Sequence, residues 1–175
     1  FVLGSTSTIA MALCNELAIK GCKEFYLAGR NSEKNNFMAD QLKSRFNVKV
    51  TTQQIDLEDE ESINKIININ GYDLYLITSG YVGDSFKAIY SYLEAKKITF
   101  SNYLGILPFI SKILKGVDVT ILTRIWLISS VAGDKGRPSN CFYGAAKSAL
   151  TILFEGLIFK YRKTGVAFRV IKAGY

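Results

Sequence analysis

Six runs of strand character recur along the chain, at 1–3, 25–28, 48–55, 72–78, 119–128 and 166–171, with helical stretches between them. This alternation is the strongest constraint on the fold. Strands separated by helices do not close as hairpins. Each helix instead crosses over a face of the sheet and returns the chain to a parallel strand. The expected architecture is α/β, a doubly wound parallel sheet in three layers, helix on sheet on helix. No repeat, low-complexity segment or linker interrupts the pattern, so residues 1–175 read as one domain with a sizeable core.

Apolar spacing suggests which helix faces turn inward. Ile9, Leu13, Leu17 and Ala18 mark the first helix, and Phe37, Leu42 and Phe46 the second, over 31–46. Ile63, Ile66 and Ile67 mark the third, for which Asp56 is placed as N-cap. One long helix is expected over 86–114, with Pro108 as a potential kink. Ala149, Leu150, Leu153 and Leu157 mark the last, and Trp126 reads as core within the fifth strand.

The chemistry gathers in one stretch, 129–147. It opens at the end of the apolar run Ile125-Trp126-Leu127-Ile128, passes Gly133, Gly136 and Pro138, and enters a helix that Ser139 or Asn140 can cap. Tyr143 and Lys147 are four apart and share a face of that helix. An ammonium near a phenol favours the phenolate, which suits the tyrosine to proton transfer. Ser130 leaves the carboxyl end of its strand, where open α/β sheets bind ligands, and its hydroxyl can hold a carbonyl or alcohol oxygen. With 10 tyrosines in the chain, one Tyr-x-x-x-Lys pair arises by chance, and a second, Tyr92 and Lys96, indeed exists. No strand or serine pair precedes it, and it reads as a solvated helix face. What singles out Tyr143 is the whole string: apolar strand, Ser129-Ser130, a gap of thirteen, tyrosine, then lysine.

That string resembles the short-chain dehydrogenase/reductase family, and the likeness extends over almost the whole chain. It implies catalytic roles for Ser130, Tyr143 and Lys147, and for Asn102, which in the family holds a water in a proton relay. Near the start, a strand, the small-residue turn Gly4-Ser5-Thr6-Ser7 and a helix form a layout that points N–H groups at a phosphate. The family's glycine turn is kept at Gly4, while Thr8 and Ala10 replace the other two glycines. Thr6 and Ser7 offer hydroxyl donors, and Ile9 is carried over with the turn. After the second strand, Gly29 stands where a carboxylate would bind the ribose of NAD, and Arg30 beside it suits a 2′-phosphate. NADP(H) is therefore expected over NAD(H). The resemblance places Asp56 and Leu57 against the adenine, and Ser79, Gly80 and Gly174 also along the cofactor, although the family's Asn-Asn-Ala-Gly reads Ile77-Thr78-Ser79-Gly80 here. It further implies a first strand longer than 1–3, a substrate-covering segment after 175, and a homo-oligomer formed through the helices bearing Asn102 and Tyr143.

The expected activity is NADP(H)-dependent interconversion of a carbonyl and an alcohol in a small molecule. The alternative is a non-catalytic NAD(P)-binding sensor or scaffold, for which the altered turn and the altered 77–80 string argue. A net charge of +7 reads as lysine usage on solvated faces, and without a nucleic-acid module no nucleic-acid partner is expected. Three cysteines without motif spacing read as free thiols of a reducing cytoplasm, and with no histidine no metal site is expected. No apolar run is read as a membrane span, and 1–3 run straight into Gly4 without a leader pattern.

Overall fold

The computed structural model of the protein describes residues 1–66 and 69–174. Six parallel strands form one sheet in the order β3-β2-β1-β4-β5-β6. They are β1 (Val2–Leu3), β2 (Glu24–Gly29), β3 (Lys49–Gln54), β4 (Leu74–Ile77), β5 (Thr123–Ser130) and β6 (Val166–Ala173). The helices are α1 (Thr8–Ile19), α2 (Ser32–Phe46), α3 (Glu60–Asn64), α4 (Ser85–Tyr90), α5 (Tyr92–Asn102), α6 (Leu107–Gly116) and α7 (Cys141–Tyr161). The doubly wound fold expected from the alternation is the fold observed.

The two-residue period of the strands sends side chains to two separate cores. On one face Leu3, Tyr26, Ala28, Tyr75, Ile77, Ile125 and Leu127 meet Phe109 and Ile113 of α6 and Leu150 and Phe154 of α7. On the other, Val2, Phe25, Leu27 and Leu76 meet Ala10 and Cys14 of α1 and Met38 and Leu42 of α2. Trp126 packs half-buried at the edge of this second core, with the Arg169 guanidinium 5.3 Å from its ring.

Several details depart from the sequence reading. Ile9 and Phe37 are 42% and 61% exposed, whereas Ala18 and Leu42 are buried and Leu13, Leu17 and Phe46 pack against the core as expected; Ala10, Cys14, Asn35, Met38 and Ala39 complete the inner faces. A polar side chain sets the rotation of α2. Asn35 is fully buried, donating to Gly29 O at 3.1 Å and Gln53 O at 3.3 Å and accepting from the Ser5 hydroxyl. Phe37 is thereby turned outward.

Asp56 does not cap α3. Asp59 does, accepting from Glu61 N, while Asp56 accepts from Glu58 N at 3.0 Å and shapes the turn before the helix. Ile66 is buried just after that helix, and Ile67 lies outside the described residues.

The long helix expected over 86–114 is broken into α4, α5, a 3-10 turn at Leu104–Ile106, and α6. Ser91 adopts an extended conformation and caps α5, and Tyr103 leaves helical geometry after it. Pro108 sits in the first turn of α6, where its missing N–H costs nothing, and so does not kink a helix. β5 begins at Thr123 rather than near 119, because Asp118 accepts from both the N–H and the hydroxyl of Thr120 and closes a turn.

Among the described residues one helical stretch, Pro138–Tyr161, is long and apolar enough to cross a membrane by length and composition. Here its apolar inner side, with Ala146, Leu150 and Phe154, packs on the sheet.

Candidate active site

The strand order reverses between β1 and β4, which opens a crevice at the carboxyl ends of the strands. A cleft of about 410 Å³ fills it, lined by Gly4, Thr6 and Ser7 after β1, Arg30, Asn31 and Lys34 after β2, and Asp56 and Leu57 after β3. Ser79, Gly80 and Tyr81 after β4, and Ser101 of α5, complete the wall.

The first turn is held from both sides. Gly4 N and Ser5 N donate to Ala28 O, and the Thr78 hydroxyl lies 2.9 Å from both Leu3 O and Gly4 O. Gly4 has φ +81°, and a Cβ there would start 2.4 Å from Ser79 N, so no other residue fits. Ser7 caps α1 by accepting from Ala10 N at 3.0 Å. An accepting hydroxyl keeps its own proton, so Ser7 can still donate into the cleft. Thr8, the first residue of α1, is exposed.

Lys147 is 2% exposed, on the sheet side of α7. Its ammonium donates to Ser79 O at 3.0 Å, stands 3.5 Å from Ile128 O, and lies beside Gly80. Burial brings it down to about 8 from its ordinary 10.5, since the low-dielectric interior disfavours the charge. The Tyr143 ring centroid is 5.8 Å from Lys147 Nζ.

Ser130 ends β5, and its hydroxyl accepts from Ala132 N at 3.1 Å while retaining a proton to donate. The turn it starts interlocks with α7. A Cβ on Gly144 would start 2.5 Å from Ala132 O, so glycine lets the helix carrying Tyr143 and Lys147 press against the serine turn. Asn140 precedes α7 with no side-chain cap bond, leaving the first-turn N–H groups without the cap expected from Ser139 or Asn140.

Asn102 is the last residue of α5, not a mid-helix one, and is fully buried. Its side chain clasps the backbone of Tyr81: Nδ2 donates to Tyr81 O at 2.6 Å, and Oδ1 accepts from Tyr81 N at 3.2 Å. The Tyr81 hydroxyl donates to Glu94 at 3.0 Å, and Asp84 N donates to the same carboxylate. These bonds hold the Glu94 carboxyl below its ordinary range. Lys147, Ser79, Gly80, Tyr81, Asn102 and Glu94 thus form one connected frame along the cleft.

Six sequence candidates, Ile9, Asn102, Ser130, Tyr143, Lys147 and Gly174, are not among the residues that line the cleft. Ile9 is exposed on α1, and Gly174 is exposed after β6. Tyr143 with Ser130 flanks the β5 end, and Lys147 connects it to the cleft through Ser79 and Gly80. Conversely Asn31, Lys34, Tyr81 and Ser101 line the cleft but were not read from the sequence. Lys34 lies in the first turn of α2, which the capping residue Asn31 starts directly after Arg30, a signal that the N-cap pattern could have supplied.

The family model described as short chain dehydrogenase matches residues 1–175. The chain belongs to the short-chain dehydrogenase family. An uncharacterised oxidoreductase of Streptomyces coelicolor is 28% identical over 99% of this chain and 70% of its own length. The 3-oxoacyl-acyl-carrier-protein reductase of Aquifex aeolicus is 25% identical over 99% of this chain and 72% of its own. Among solved structures, a variant of actinorhodin polyketide ketoreductase with NADPH superposes with a TM-score of 0.88 at 19% identity, covering 99% of this chain and 69% of that one. As a short-chain dehydrogenase the protein is an oxidoreductase of carbonyl and alcohol groups that binds NAD(P).

The cleft of this short-chain dehydrogenase fits such a dinucleotide. The Ser79 hydroxyl is buried in its wall without a hydrogen-bond partner among the described residues. The α1 N-terminus and the Thr6 and Ser7 hydroxyls face one region of it, which suits a pyrophosphate, and Arg30 and Lys34 bring positive charge to another.

Proposed function

We propose that this short-chain dehydrogenase is NADP(H)-dependent and interconverts a carbonyl and an alcohol with Tyr143 as general acid and base. The observation that carries the reading is the buried Lys147 ammonium, held by Ser79 O in the cleft wall and 5.8 Å from the Tyr143 ring. It joins the proton-transfer residue to the cofactor crevice through one side chain.

The nicotinamide cofactor, when bound, supplies or accepts the hydride. Gly4, Thr6, Ser7, Asp56, Leu57, Ser79 and Gly80 would hold it, with Arg30 at a 2′-phosphate. Ile9 and Gly174 belong to the same proposed set by family position. Tyr143 gives its phenolic proton to the carbonyl oxygen in reduction and takes it back in oxidation. Ser130 donates to that oxygen and fixes its position. The Lys147 ammonium, ionised at neutral pH because its pKa stays near 8, stabilises charge on Tyr143 as the proton leaves. It also offers an N–H to the nicotinamide ribose. The Asn102 side chain is committed to Tyr81, so a relay water is met by the backbone carbonyl at the end of α5. General acid–base help of this kind contributes about 10²–10⁴-fold.

The preference for NADP(H) rests on Gly29 in place of a carboxylate and on Arg30 and Lys34 in the cleft wall. The substrate is a small carbonyl or alcohol compound. Exposed Phe86, Tyr90, Tyr92 and Leu93 on α4 and α5, with Ile152 and Phe159 on α7, support a homo-oligomer through the helices bearing Asn102 and Tyr143. Three free cysteines are in keeping with a cytoplasmic setting.

The test is Tyr143→Phe in the full protein, with turnover on a carbonyl panel and NADPH titration side by side. Turnover is expected to fall at least about 10²-fold with NADPH affinity nearly unchanged. Retained turnover rejects Tyr143 as the acid. NADPH binding by the wild type without reduction of any carbonyl favours a sensor or scaffold.

A further inference from the structure

We infer that Glu58 is a specificity-determining residue that restrains the preference for the phosphorylated cofactor. This rests on the NADP(H)-binding reading above and concerns the same cleft. Glu58 follows Asp56 and Leu57, and its place is built. The Asp56 carboxylate accepts from Glu58 N at 3.0 Å and sets the turn. The neighbouring 3-10 turn packs onto Leu57 so closely that a Cβ on Gly105 would start 2.2 Å from Leu57 O. With its backbone pinned, Glu58 sends Oε1 between two residues of the cleft wall. It lies 3.8 Å from the Arg30 guanidinium and 3.5 Å from the Ser101 hydroxyl, which donates to it at long range.

The carboxylate therefore competes for the guanidinium assigned to a 2′-phosphate. A phosphate that takes Arg30 must displace Glu58 or sit beside its negative charge, and either lowers affinity. A 2′-hydroxyl meets no such penalty, and a carboxylate at this place can accept from it. Glu58 thus does from the end of β3 part of what Gly29 cannot do from the end of β2. Arg30 and Lys34 pull toward the phosphate, Glu58 toward the hydroxyl, and the chain is expected to use both cofactors with a moderate NADPH bias.

The pair is half exposed, so its influence is bounded by that of a solvated ion pair. In the full-length protein, Glu58→Gln is expected to tighten NADPH about threefold to fivefold at low salt and to leave NADH unchanged or weaker. The gap should shrink as ionic strength rises. In an Arg30→Gln background the same change at Glu58 should have a smaller effect on NADPH, because the competition for that guanidinium is gone and only the direct repulsion between carboxylate and phosphate is left. Unchanged NADPH:NADH selectivity in Glu58→Gln, with both nucleotides still bound, overturns the inference. So does an undiminished effect in the Arg30→Gln background. Folded wild-type protein that binds neither nucleotide overturns the cofactor reading itself, and this inference with it.

Discussion

Replacing Lys147 by Met should change how stability depends on pH, in a direction set by burial. In the folded chain Lys147 titrates at about 8; in the unfolded chain it titrates near its ordinary 10.5. Below pH about 8 both states hold the proton, and folding carries the whole penalty of burying the charge. Between the two values the unfolded state holds a proton that the folded state has released. Stability then rises with pH, because the slope follows the excess of protons on the unfolded chain. The difference corresponds to about 3 kcal/mol, gained by the wild type as pH climbs from about 8 to about 10.5.

The neutral amine still donates to Ser79 O and Ile128 O, so those bonds do not cancel the gain. Methionine has nearly the same length and no proton to lose. Urea unfolding of both proteins at matched ionic strength, from about pH 7 to about pH 10.5, gives the difference directly. Other titrating groups drop out when one curve is subtracted from the other. Wild type should gain on the variant across this window. Parallel curves, within about 0.5 kcal/mol, would refute the claim that Lys147 is buried as a charge.

Two further outcomes follow from the geometry. Gly144→Ala puts a methyl 2.5 Å from Ala132 O, so thermal unfolding should show a loss of about 1–3 kcal/mol, and turnover should fall as Tyr143 and Ser130 move apart. Unchanged stability would mean that α7 is not locked to the serine turn. Arg30→Ala should weaken NADPH by about tenfold and NADH little, read by nicotinamide fluorescence, because one charge-assisted contact to a 2′-phosphate is lost. Equal weakening of both would detach Arg30 from that phosphate.

Much of this protein was legible in its sequence, because the signals were local. The alternation of strand and helix runs pointed to a parallel sheet covered by helices, since each crossover helix packs on a face of such strands, while the strand order β3-β2-β1-β4-β5-β6 was decided by the tertiary structure. The four-residue spacing of Tyr143 and Lys147, after a strand ending in Ser129-Ser130, located the proposed chemistry within one strand–turn–helix unit. Where local signals conflicted with packing, the reading failed. Phe37 looked like core, yet the buried bonds of Asn35 to Gly29, Gln53 and Ser5 rotate α2 the other way. Apolar spacing over 86–114 looked like one helix, yet an extended Ser91 and Tyr103 divide it.

Contacts between residues far apart in the chain were beyond any periodicity. The clasp of Asn102 on Tyr81, the burial of Lys147 beside Ser79 and the approach of Glu58 to Arg30 each join separate elements. Residue types and local spacing determined which groups were available, while tertiary packing decided which of them meet. A charge's pKa and a side chain's partner depend on the dielectric and donors that other segments bring to it, and these exist only once the sheet and helices have closed.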